Sequence, residues 1–142
     1  MRAIDKIIIH CSATREGADY SVKDIDAWHK SKGWKGCGYH YVIKLDGTIQ
    51  AGRPEEQIGA HTSGQNAHSI GVCYIGGLDS FGKSKDTRTS QQKASLLSLL
   101  RMLHRRFPKA TVHGHREFAA KDCPCFDVRL DKDIQAIFKN LS

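Results

Sequence analysis

Three places in the 142-residue sequence carry side chains that bind metals or support attack on a carbonyl. They are His10 at the end of a β-branched run, the pair His113-x-His115, and Cys123-Pro-Cys125. Imidazole nitrogen and thiolate sulfur are ligands for zinc, whereas Mg²⁺ and Ca²⁺ take oxygen. The sequence has no Cys-x-x-Cys pair, so a site must collect its ligands from distant positions that the fold brings together. Two imidazoles and one thiolate occupy three corners of a tetrahedron and leave the fourth to water, whose pKa zinc lowers to about 7. That pattern suits catalysis better than a purely structural role. Spacing alone leaves open which members of each pair would serve.

The remaining histidines and cysteines have plainer readings. His29 and His104 stand on helical stretches beside Lys and Arg and are expected to be solvated. His40 falls on the strand face opposite Tyr39, a structural position. His61 and His68 belong to a polar loop where a substrate contact is the available role. Cys11 and Cys73 sit in or at the ends of strands as core thiols, and Cys125 reads as a structural thiol. Five cysteines cannot all pair within one chain, so a disulfide framework does not fit.

The elements that must position these residues follow from periodicity and punctuation. Lys6 to Cys11 predicts a buried strand delivering His10 to a loop. Ser21 as N-cap, with Val22, Ile25 and Trp28 at helical spacing, predicts a short helix stopped by Gly33. Tyr39 to Leu45 and Thr48 to Ala51 flank Asp46-Gly47, a hairpin signal. Residues 52–69, rich in Gly, Ser, Asn and His, predict a long surface loop, and Ile70 to Ile75 a strand. Thr89 and Gln92 match a capping box for the longest helix, which Pro108 ends. A short strand over Ala110 to His113, an irregular segment to Phe126 and a final helix over Leu130 to Leu141 complete the chain. Strands alternating with helices predict one α/β domain with helices on both faces of a sheet.

Composition limits the partners. With 39% hydrophobic and 26% charged residues the chain fits neither a disordered nor a fibrous protein. Its longest apolar run, Ile7-Ile8-Ile9, is far short of a membrane helix, and Arg2, Asp5 and Lys6 around it spoil a signal-peptide pattern. A soluble protein made in the cytoplasm is expected. Lys and Arg number 22 against 15 Asp and Glu, a net charge of +7, which directs attention to polyanions. The basic residues are scattered rather than gathered into an arm, which argues against nucleic acid and leaves the anionic bacterial wall.

The motifs Ile9-His10-Cys11-Ser12-Ala13-Thr14, Trp28-His29-Lys30, Gly38-Tyr39-His40-Tyr41, Asp46-Gly47-Thr48, Ser69-Ile70-Gly71-Val72-Cys73, Gly76-Gly77 and Lys121-Asp122-Cys123-Pro124 occur in that order. Together they resemble the phage lysozyme-type zinc N-acetylmuramoyl-L-alanine amidases, over nearly the whole chain. The resemblance implies one domain over residues 1–142, with a central mixed β-sheet flanked by α-helices, the fold shared with peptidoglycan recognition proteins. It implies one Zn²⁺ per chain held by His10, His115 and Cys123. In the family the second His precedes the ligand Cys by eight positions, the separation of 115 and 123, whereas 113 stands ten away. The family's catalytic Tyr falls on Tyr39 and its catalytic Lys on Lys121. The implied reaction is hydrolysis of the amide between N-acetylmuramic acid and L-alanine in peptidoglycan, by a monomer that reaches the wall after release or assisted export.

The resemblance also frames the rival readings. Cytoplasmic amidases that recycle muropeptides typically have Asp as the third ligand, and non-catalytic peptidoglycan-binding modules have lost the Cys. Some phage amidases of this type also inhibit their phage RNA polymerase, an activity that these motifs do not transfer. A substrate groove is expected from residues 52–69 and the segments around Tyr39 and His115.

Overall fold

Ile7, Ile8 and Ile9 are completely buried, and consecutive side chains on a strand point to opposite faces, so this strand must be covered on both. The computed structural model, which describes residues 2–139, shows how. In chain order its elements are β1 (Lys6–Cys11), β2 (Thr14–Arg15), α1 (Val22–Ser31), β3 (Tyr41–Ile43), β4 (Ile49–Ala51), β5 (Ser69–Tyr74), β6 (Gly77–Leu78), α2 (Ser90–Arg106), β7 (Thr111–Gly114) and α3 (Lys132–Phe138). Short 3₁₀ turns occupy Asn66–His68, His115–Glu117 and Val128–Leu130.

The main sheet has the order β4-β3-β5-β1-β7. β3, β5, β1 and β7 run parallel, and β4 closes one edge as the antiparallel arm of the Asp46-Gly47 hairpin. Ile7, Ile9, Ile70, Val72 and Tyr74 face α2 and α3, packing on Leu96, Leu100, Leu103, Ile134 and Phe138. On the opposite face Val42, Cys73 and Ile75 pack with Ile25 of α1 and with Cys37. The result is the expected mixed sheet with helices on both faces, and no helix among the described residues is long and apolar enough to cross a membrane.

The expected elements appear with boundaries shifted by a residue or two. The hairpin strands are shorter than the apolar pattern implied, and the last helix begins at Lys132; residues 140–142, where its expected end falls, lie outside the described residues. The small parallel pair β2–β6 was not anticipated. Two-residue strands carry too little periodicity to be read from sequence.

Candidate metal centre

Parallel strands leave their carboxyl ends at one edge of the sheet, where ligand sites of open α/β sheets lie. β1 and β7 are registered so that Ile9 stands opposite Gly114, so the next residues, His10 and His115, emerge side by side. Their ring centroids are 4.5 Å apart. The third group arrives from the irregular segment after β7. The Cys11 amide donates to the Cys123 sulfur at 3.2 Å, and the Arg116 amide donates to the Cys123 carbonyl at 2.7 Å. The Tyr74 hydroxyl, from β5, holds the next carbonyl, that of Pro124, at 2.6 Å.

One donor atom from each of His10, His115 and Cys123 thus lies within 4.8 Å of the others, and the Cys123 sulfur is 3.9 Å from His10 Nδ1. Ligands of a tetrahedral zinc stand about 3.5 Å apart, so a contraction on the order of 1 Å would seat the ion. The protonation states suit it. Burial, then the neighbouring His61, His115 and Lys121, holds His10 well below the ordinary imidazole range, and burial with Lys121 lowers His115. Both rings are therefore neutral, the form that ligates. Hydrogen bonding from the Cys11 side chain holds the Cys123 thiol below its usual range, favouring the thiolate, while Cys11 itself is pushed up to about 12. The donor set and its chemistry fit a soft divalent cation.

Tyr39 packs on the His10 ring at 5.0 Å between centroids. It is held there by α1, where Asp26 accepts the Cys37 amide at 2.8 Å and His29 Nδ1 accepts the Gly38 amide at 2.9 Å. Burial pushes the Tyr39 phenol well above its ordinary pKa, so it stays protonated. Lys121 is exposed and lines a groove of about 440 Å³ with His115, Trp34, Phe118 and residues 60–63. Tyr39 is not among the lining residues; its ring stands 6.5 Å from that of His61, which is. A second hollow of about 400 Å³, between α1 and residues 51–57, holds none of the three donors.

Several expectations change. His29 is buried, because the chain after Gly33 folds back over the helix face that spacing alone placed in solvent. His61 and Thr62, expected on a surface loop, are buried, with only their edges reaching the groove wall. His113 is turned away from the centre, bonded to Glu117 at 2.9 Å and Thr111 at 2.7 Å, and His68 is exposed beside the Ala3 carbonyl. His104 is partly buried against Phe138 rather than fully solvated. Cys11 and Cys73 are core thiols as expected, and the Cys125 sulfur lies 3.7 Å from that of Cys11. His40 is structural, its Nδ1 accepting the Gly71 amide at 3.0 Å. Asn66 and Phe118 fall in segments expected to form the groove, whereas Trp34 had no signal in sequence, since its place there depends on loop geometry.

The comparisons agree with this geometry. The family described as N-acetylmuramoyl-L-alanine amidase matches residues 1–126. The endolysin of Escherichia phage T7 is 46% identical over 125 residues, covering 88% of this chain and 83% of that protein. The endolysin of Enterobacteria phage K11 is 41% identical over 124 residues, covering 87% and 82%. Among solved structures, the N-acetylmuramoyl-L-alanine amidase LysC from Clostridium intestinale URNW superposes with a TM-score of 0.82 at 29% identity, covering 97% of this chain and 87% of that one. Drosophila PGRP-LB gives 0.77 at 25% identity, covering 96% and 82%.

Proposed function

The chain belongs to the N-acetylmuramoyl-L-alanine amidase family, and from that we propose that it cuts the amide between N-acetylmuramic acid and L-alanine in peptidoglycan, with one zinc held by His10, His115 and Cys123. The observation that carries the reading is the convergence of these three donors, of which His115 lines the same groove as Lys121. Zinc, when bound, supplies Lewis acidity and a water acidic enough to attack at neutral pH.

The chain's own residues supply the rest. As the amide carbonyl is attacked, negative charge gathers on its oxygen, and the Lys121 ammonium is the cation on the groove wall available to meet it. The leaving amine needs a proton. No Asp or Glu lines this groove among the described residues, so the Tyr39 phenol, kept protonated by burial, is the group that orients water or passes a proton at its hydroxyl. Trp34 and Phe118 offer aromatic faces for the apolar sides of sugar and peptide. All of these groups come from one chain, so a monomer suffices. The cell wall, reached after release or assisted export, is the place of action.

Mass spectrometry of digested sacculi tests the bond cut, and metal analysis tests the ion. Wild-type protein is expected to release intact stem peptides with free L-alanine amino termini and to hold one zinc per chain. Cys123→Ser is expected to lose metal and activity together. Cleavage within the glycan or the peptide would refute the assignment, and full zinc in Cys123→Ser would move the third ligand elsewhere. Sacculi are expected to be cut faster than soluble anhydro-muropeptides, the reverse of a recycling enzyme.

A further inference from the structure

Directly behind His10 is a second imidazole that the reaction as described does not use. His61 Nδ1 lies 2.9 Å from His10 Nε2. The Thr62 hydroxyl sits beside both, 3.2 Å from His10 Nε2 and 3.0 Å from His61 Nδ1. On the other side of its ring, His61 Nε2 faces the Ser69 hydroxyl at 3.3 Å. The slot is built for a ring. A Cβ on Gly71 would come within 2.6 Å of His61 Cδ2, and one on Gly59 within 2.7 Å, so only glycine leaves room at either position. Asn66 Oδ1 fixes the backbone by accepting both the His61 amide, at 3.0 Å, and the Thr62 amide, at 2.9 Å.

The orientation of these atoms dictates their protons. His10 presents Nδ1 to the Cys123 sulfur, so a cation there takes the Nδ1 lone pair and leaves the proton on Nε2. That N–H must meet an acceptor. His61 Nδ1 accepts it, directly or across the Thr62 hydroxyl, which places the His61 proton on Nε2, where Ser69 Oγ receives it. A protonated His61 would set two N–H groups face to face.

We propose that His61 is a positioning residue. Through the His10–His61–Ser69 chain it locks His10 into the tautomer and ring orientation that aim Nδ1 at the cation, and so sets the metal affinity of the centre. The proposal rests on the metal-centre reading above, and its test reads binding rather than turnover. Losing such a partner of a metal-ligating His typically weakens metal binding 10- to 100-fold.

Zinc affinity is measured by competition with a chromophoric chelator for wild type, His61→Phe and His61→Asn, with circular dichroism checking the fold. His61→Phe keeps a ring in the slot without an acceptor and is expected to bind zinc 10- to 100-fold more weakly. His61→Asn places a carbonyl oxygen near the Nδ1 position and is expected to recover to within about 3-fold of wild type. Unchanged affinity in His61→Phe, or His61→Asn as weak as His61→Phe, would overturn the proposal. Independently of any variant, ¹⁵N spectra of the imidazoles in the zinc-loaded wild type are expected to show His61 neutral with its proton on Nε2; a cation or the other tautomer would overturn it. Sacculus digestion by the wild type is scored separately, so failure to cut refutes the amidase reading without deciding the role of His61.

Discussion

Lys121 separates a catalyst from a metal-bearing binding domain. It stands two residues before Cys123, exposed on the groove wall, and among the described residues its side chain makes no hydrogen bond or ion pair that a substitution would break. A cation that acts mainly on charge present only in the transition state affects kcat far more than affinity. Lys121→Ala is therefore expected to keep its zinc and its pelleting with sacculi while losing about 10²–10³-fold in turnover, read from release kinetics. Near-normal turnover would return Lys121 to a surface charge. At this scale residue types marked the candidate donors, while spacing alone left His113 and His115 both open; the eight-residue step to Cys123 chose between them only through the family resemblance. The sequence pattern misplaced His61 and Thr62, because polar loop composition signals exposure, whereas their burial comes largely from contacts with Gly71 and His10, which only the fold brings close.

The elements hold the centre by their ends, and α2 shows how one residue serves two of them. Thr89 and Gln92 form the capping box that sequence anticipated, the Gln92 amide donating to Thr89 Oγ1 at 3.0 Å and the Thr89 amide to Gln92 Oε1 at 2.9 Å. The buried Gln92 side chain also donates from Nε2 to the Ile43 carbonyl at 3.2 Å and the Ile75 carbonyl at 3.0 Å, tying the helix to the ends of β3 and β5. That second task was invisible in sequence, since the capping motif alone explains a Gln at this place. Gln92→Leu removes the donor to the Ile75 carbonyl and one of the two donors to the Ile43 carbonyl, which keeps the Ile75 amide, and is expected to destabilise the fold by about 2 kcal/mol in urea unfolding. Zinc affinity is expected to stay at the wild-type level, because Gln92 reaches neither His10, His115 nor Cys123. A variant as stable as wild type would show that water or a neighbouring group satisfies those carbonyls.

For the whole molecule, three of the buried imidazoles, His10, His40 and His61, make stability depend on acid. Burial is the largest cause holding His10 and His40 below the ordinary range and His61 down to about 3. Unfolded, each titrates near 6.5, so below that pH the unfolded chain binds more protons than the folded one. The stabilisation is thus complete above about pH 6.5 and lost as pH falls toward the folded values, at up to about 1.4 kcal/mol per pH unit for each ring. The unfolding free energy of chelator-treated protein is expected to drop by about 3 kcal/mol between pH 7 and 5.5; a flat profile would mean that the fold tolerates charged rings. The layer architecture was legible from alternating strands and helices, but the strand order was not, because nothing local says that β1 lies between β5 and β7. That order has a consequence for synthesis. Ile9 pairs with Gly114, 114 − 9 = 105 residues later, and a ribosome adding roughly 5–20 residues per second needs on the order of 5–20 s to supply the partner. Throughout that interval β1 lacks one of its two neighbouring strands, β5 on its other side having been made earlier, and the three donors cannot meet until Cys123 has emerged. A chain that stops short of Cys123 lacks the third donor and is expected to hold no metal at this centre.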